Sequence, residues 1–194
     1  MRASSTSKLR FEHATIQLMR PEPTRIAVVA DSHSMPHLNT MKLLRALEPE
    51  AILHAGDIGD LTVLDALRAV APVYAVRGNI DERADELPDV LTIDLIDAAN
   101  STTRILLTHI AVAGPKLRSE VALLAKKERA PLVVCGHSHV PFIGQDKGLA
   151  MFNPGSIGPR RFALPILFGT IELSNGQLSL QHHSCETGLR WSPG

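Results

Sequence analysis

Five short apolar runs in this chain each stop at a cluster of carboxylate, amide or imidazole side chains. Residues 25–30 run into Asp31-Ser32-His33, and residues 51–53 into His54-Ala55-Gly56-Asp57-Ile58-Gly59-Asp60. Residues 73–76 end in Arg77-Gly78-Asn79-Ile80-Asp81, residues 104–107 in Thr108-His109, and residues 132–135 in Gly136-His137-Ser138-His139. Runs this short and continuous read as strands buried on both faces. In open α/β sheets the carboxyl ends of the strands line one crevice, so the pattern gathers these polar groups in one place.

Helical stripes separate the first runs. Leu38, Met41, Leu44 and Leu47 recur every third residue and predict a helix that stops before Pro49. Val63, Leu64, Leu67 and Val70 stripe a second helix, and the β-α-β-α-β order implies parallel strands. Residues 90–95, 167–172 and 177–181 add strands. A third helix is expected to open at Gly114-Pro115 with Leu117, Val121 and Leu124 on its apolar face. Ser174-Asn175-Gly176 reads as a tight hairpin. These elements predict an α/β fold, a four-layer α/β/β/α sandwich of two packed mixed sheets with flanking helices. Residues 1–24, ending at Pro21-Glu22-Pro23, read as a loosely ordered N-terminal extension. Residues 25–184 read as the domain and 185–194 as a C-terminal tail.

Composition narrows the function. Twenty Lys+Arg balance twenty Asp+Glu among 194 residues, so no broad field draws nucleic acid or an anionic membrane. No apolar stretch approaches the ~18 residues of a spanning helix. The two cysteines, Cys135 and Cys185, form no disulfide framework and fit a reducing compartment, so a cytoplasmic location is expected.

The nine histidines are the unusual component. Asp31 and His33 stand two apart, as do His137 and His139, a spacing that lets a curled loop offer both side chains to one ion. Oxygen and imidazole donors suit Mn, Fe, Co, Ni or Zn, and the lack of thiolates at these positions argues against a structural zinc knuckle. Gly56, Gly78 and Gly136 each precede a candidate ligand, where the missing Cβ allows a sharp turn close to the ions. The ordered set of strand-end motifs predicts a dinuclear metal site.

At these residues the chain resembles the calcineurin-like metallophosphoesterase superfamily. More narrowly, it resembles the small single-domain branch that holds bacterial and archaeal phosphodiesterases and the Vps29 retromer subunit. The resemblance covers residues 25–181, including Asn153-Pro154-Gly155-Ser156. It implies two divalent cations, Mn²⁺ foremost with Fe, Ni, Co or Zn as alternatives. Asp31, His33, Asp57 and His139 would hold one, and Asp57, Asn79, His109 and His137 the other. A hydroxide shared by the ions would then attack a small phosphodiester in line. Asn79 would also reach the substrate phosphate, and His109 would belong to the catalytic set. The alternative is a Vps29-like scaffold with weak or no catalysis. A homo-oligomer is left open.

Two positions depart from that branch. Ile80 stands where many relatives carry histidine and the small branch often carries cysteine, and Ala111 replaces the second histidine of the branch's His-Gly-His run, so the expected general acid is missing. His37, in the loop beyond His33, is the candidate substitute, with an exposed loop histidine as its other reading. Arg160 and Arg161 read either as a clamp for substrate phosphate or as surface charge. Asp60 and Asp81 are expected to fix loops or cap turns, His54 to be a buried strand histidine, and His182 and His183 to lie on the surface.

Overall fold

Both faces of the run at residues 24–29 are used. In the computed structural model, which describes residues 9–20, 23–161, 163–174 and 177–193, Ile26, Val28 and Ala30 enter a core between two sheets. Ala27 and Val29 enter a second core beneath helices. That double burial is why the sequence shows no alternation there.

The elements run β1 (Phe11–Gln17), β2 (Thr24–Val29), α1 (Thr40–Leu47), β3 (Ala51–His54), α2 (Thr62–Arg68) and β4 (Val73–Ala75). Next come β5 (Val90–Ile96), β6 (Thr102–Thr108), β7 (Val112–Ala113), β8 (Lys116–Leu117), α3 (Ser119–Lys127) and β9 (Leu132–Val134). The hairpin of β10 (Phe142–Asp146) and β11 (Leu149–Asn153) follows, then β12 (Leu167–Ser174), β13 (Gln177–Ser184) and β14 (Arg190–Trp191). One six-stranded sheet has the order β14-β13-β12-β2-β3-β4 and the other β1-β5-β6-β9-β11-β10. Leu44, Leu64 and Leu67 of α1 and α2 pack on the outside of the first sheet, and Val121, Ala122 and Ala125 of α3 on the second. Ile93, Ile105, Val134, Phe152 and Ile171 fill the space between the sheets. The expected four-layer α/β/β/α sandwich is the fold.

Several local expectations need correction. Residues 11–17 of the expected loose extension form an ordered strand, which pairs in parallel with β5 from Phe11↔Val90 to Gln17↔Ile96. Ile16 and, just beyond, Leu18 are buried in the inter-sheet core, which ties the segment down. Residues 1–8 lie outside the described residues. Helix α1 starts at Thr40 rather than at Leu38, which is 85% exposed, because the Thr40 N–H closes a turn on the His37 carbonyl. Its stop before Pro49 is as expected, with Glu48 in a left-handed conformation. The third helix begins at Ser119, because Gly114-Pro115 turns a two-stranded hairpin of β7 and β8 instead. Residues 185–191 of the expected C-terminal tail are packed onto the domain: Cys185 is fully buried and β14 pairs with β13. Asn175 and Gly176 lie outside the described residues; the strands on either side pair at Ser174↔Gln177.

Candidate metal centre

The five strand ends open on the same side of the sandwich, and the backbone turns sharply after three of them, β2, β3 and β9. Asp31, His33, Asp57, His137 and His139 all have positive φ, between 45° and 68°. Left-handed geometry costs a residue with a side chain roughly 1–2 kcal/mol, so the surrounding contacts must enforce it. Hydrogen bonds zip the loops together. Asp31 N–H donates to the Gly56 carbonyl at 2.9 Å, His33 N–H to Asp57 at 3.0 Å, and Gly136 N–H to His109 at 3.0 Å. The Asp81 carboxylate accepts from the backbone N–H groups of Ile58, Gly59 and Gly78 at 2.8–3.1 Å, locking the loops after β3 and β4 to each other.

The glycines are required by close approach. A Cβ on Gly78 would lie 2.2 Å from both N and Oδ1 of Asp57. One on Gly136 would lie 2.9 Å from the Ala55 carbonyl oxygen and 3.1 Å from Asp31 Oδ2.

Two groups of donors result. Asp31, His33 and His139 offer atoms within 4.8 Å of one another, and so do Asp57, His109 and His137. Asp57 faces both: His109 Nε2 is 3.2 Å from Oδ1, and His33 Nε2 is 3.7 Å from Oδ2. His109 Nδ1 lies 2.7 Å from the Ala55 carbonyl, which fixes the proton there and turns the Nε2 lone pair into the site. The ring nitrogens of His33 and His139 face each other at 3.2 Å.

Among the described residues, Asp31 Oδ2, His109 Nε2 and His139 Nδ1 are the buried side-chain polar atoms without a hydrogen-bond partner. Such orphans cost roughly 1–3 kcal/mol each. That all three belong to these two groups fits a pair of divalent cations, as does the oxygen-imidazole chemistry of the donors.

Electrostatics point the same way. Burial pushes the Asp31 carboxyl up to about 7. Asp57 goes in the opposite direction: burial works upward, but His109, the Ile80 N–H and His33 together hold it well below the usual carboxylate range. Burial, then the Arg161 charge, bring His139 down to about 4, and burial also lowers His33 and His137. His109 moves up: burial would lower it, but the Asp57 carboxylate and Ala55 carbonyl outweigh that. Most of the imidazoles are therefore neutral near pH 7, the form that binds metal.

The remaining predicted residues divide. Asn79 is exposed on its loop between Gly78 and Ile80, both of which contact Asp57. Arg161 reaches the site, with Nη2 3.2 Å from His33 Nε2. Arg160 does not: it is held by Glu186 at 2.6 Å and the Leu164 carbonyl at 3.0 Å. His37 accepts from the Asn39 N–H within its own loop and belongs to neither group. Asp60 accepts from Thr62 at the start of α2. His54 is fully buried, as expected, between Ser32 Oγ and the Gly56 N–H.

His182 is a correction. It is 3% exposed rather than on the surface, with Nε2 donating to the Asn153 carbonyl at 2.8 Å. Residue-by-residue reading also missed what holds the histidine loops. The Asn153 amide donates to the Gly136 carbonyl and Ser138 Oγ, and Ser156 Oγ to the Asp31 carbonyl. The Asn-Pro-Gly-Ser segment was the available signal.

The family model of the calcineurin-like phosphoesterase superfamily domain matches residues 24–176. The probable metallophosphoesterase of Methanocaldococcus jannaschii is 31% identical over 137 residues, 68% of this chain and 67% of its own. Phosphodiesterase YfcE of Escherichia coli is 30% identical over 113 residues, 57% of this chain and 58% of its own. Among solved structures, Vps29 of Entamoeba histolytica complexed with zinc superposes with a TM-score of 0.68 at 22% identity, over 87% of this chain and 96% of that one. The YfcE structure gives 0.61 at 22% identity, over 87% and 97%. These two structural likenesses speak to the fold, whereas the family match spans most of the sequence. The chain therefore belongs to the calcineurin-like phosphoesterase superfamily.

Proposed function

We propose that the chain is a metal-dependent phosphodiesterase acting on small phosphodiesters at the strand-end site. The observation that carries this reading is the placement of Asp57, one carboxylate with an oxygen toward each donor group. In the proposed ligand set Asp31, His33, Asp57 and His139 would hold one cation, and Asp57, Asn79, His109 and His137 the other. Divalent ions there, manganese foremost, would supply Lewis acidity toward the phosphoryl oxygens and the attacking water.

The chain's own groups do the rest. Asp57 stays ionised because its neighbours stabilise the charge. The Ala55 carbonyl keeps the His109 proton on Nδ1, away from the donor group. Asn79 can ligate through its amide oxygen and direct its NH₂ at the phosphate. Arg161, exposed beside His33, brings a planar fork of donors to a phosphoryl oxygen.

Neither Ile80 nor Ala111 can donate a proton to a leaving group, and a general acid is worth roughly 10²–10⁴ in rate. Activated aryl diesters are therefore the better substrates. The same two residues favour a second reading, a weakly catalytic scaffold with this fold.

Hydrolysis of bis-p-nitrophenyl phosphate separates the two. EDTA should abolish the activity and Mn²⁺ restore it. Asp57→Asn should lower metal occupancy and cost roughly 10²-fold or more in rate. A protein that binds no metal and shows no Mn²⁺-restored turnover would leave the scaffold reading in place.

A further inference from the structure

We propose that the apolar groove beginning at His137 holds one uncharged, apolar ester arm of the substrate, so that the site selects phosphodiesters with an aryl or alkyl arm. This rests on the phosphodiesterase reading above. The groove is about 790 Å³, the size of a small-molecule site. Ala111, Val112, Val140, Phe142, Ile143 and Met151 line it, and among the described residues no Asp, Glu, Lys or Arg does. A second phosphate or a carboxylate would lose its hydration there without meeting a Lys or Arg, since the polar side chains of the wall are those of His137, Ser138 and Gln145.

Its position ties it to the chemistry. Gly136, His137 and Ser138 belong both to its wall and to the loop that brings His137 to Asp57 and His109. A phosphate seated at that donor group would therefore have one ester oxygen at the mouth of the groove. Ala111 contributes only a methyl group, 1% exposed, where a larger side chain would fill the space. Val140 and Ile143 are 46% and 50% exposed, so they present carbon to water that an arm would cover. Each methylene so buried strengthens binding about fourfold.

Symmetrical inert diesters test the assignment, since one arm is then always available to the groove. Dimethyl, dibutyl and diphenyl phosphate are titrated into the zinc-loaded full chain by calorimetry and by methyl NMR of Ile110, Ile143 and Met151. Affinity is expected to rise at least tenfold from dimethyl to diphenyl phosphate, with the groove methyls shifting only for the larger arms. Ile143→Asp and Val140→Asp, both at exposed positions that a charge can occupy without unfolding the chain, should each flatten the series to within about twofold. A flat wild-type series, a rise that survives both variants, unshifted groove methyls, or a diglycerol phosphate that binds as well as diphenyl phosphate would each overturn the assignment. Bis-p-nitrophenyl phosphate hydrolysis is followed in parallel. Absent turnover with an intact affinity series would count against the phosphodiesterase reading and leave the groove's ligand class standing.

Discussion

Asn153 and Gly136 are joined by a buried hydrogen bond: the side-chain amide donates to the glycine carbonyl at 2.8 Å, in the turn that launches His137 and His139. The same amide reaches Ser138 Oγ at 3.1 Å, and the Asn153 backbone carbonyl accepts from His182. Asn153→Ala should therefore leave the Gly136 carbonyl unpaired and free the histidine loop. A loss of roughly 10–100-fold in metal affinity is expected, the usual cost of removing a group that orients ligands. Calorimetric titration with Mn²⁺ or Zn²⁺ checks this, and unchanged affinity would dismiss the positioning role.

Two glycines offer a matched comparison. At Gly78 an added Cβ meets Asp57 at 2.2 Å, whereas at Gly148 it meets nothing within 4 Å although φ is +78°. Gly148→Ala should cost only the left-handed penalty, about 1 kcal/mol. Gly78→Ala should cost about 1–3 kcal/mol in addition to impairing metal binding. Urea unfolding of both variants tests the difference.

Arg160 and Arg161 are adjacent yet should behave unlike each other. Arg161→Met removes the guanidinium beside His33 and is expected to raise KM for a diester about tenfold, the worth of one charge-assisted hydrogen bond. Arg160→Met breaks an exposed pair with Glu186 and a bond to the Leu164 carbonyl, both away from the donor groups, and should leave KM unchanged. Steady-state kinetics at saturating Mn²⁺ distinguish them.

Acid should weaken the metal-free fold through His54. Burial brings its imidazole from 6.5 down to about 4, so the folded chain favours the neutral form. The depressed value means the contribution is fully present above pH 6.5 and is lost as pH falls from there toward 4. Proton linkage puts the loss at about 2 kcal/mol by pH 5. Urea midpoints with EDTA at pH 7.5 and 5.0 should show it, and His54→Gln should reduce the difference.

The sandwich and the strand-end site were legible because their signals are local. A strand buried on both faces reads as an unbroken apolar run, and each candidate ligand sits directly after one. What failed depended on distant partners. β1 is an edge strand whose sequence, Phe-Glu-His-Ala-Thr-Ile-Gln, carries few buried positions, and β5 far along the chain decides its order. Gly114-Pro115 serves equally as a helix start or a hairpin turn, and the turn is selected by β8, whose Leu117 N–H is tied from far along the chain by the Asp146 carboxylate. His182 is buried because the Asn153 carbonyl lies within reach and Phe152 and Trp191 pack near its ring. Glu186, far along the chain, draws Arg160 away from the site that its neighbour enters. No pattern in one stretch of sequence encodes these pairings.

Each donor group draws on both sheets. Asp31 and His33 follow β2 and Asp57 follows β3 in one sheet, while His109 follows β6 and both His137 and His139 follow β9 in the other. A cation in either group would thus rivet the two halves of the sandwich at its open rim, resisting any sliding of one past the other. Chelation should loosen that seam first, which makes the reactive end of the molecule also its mechanical clasp.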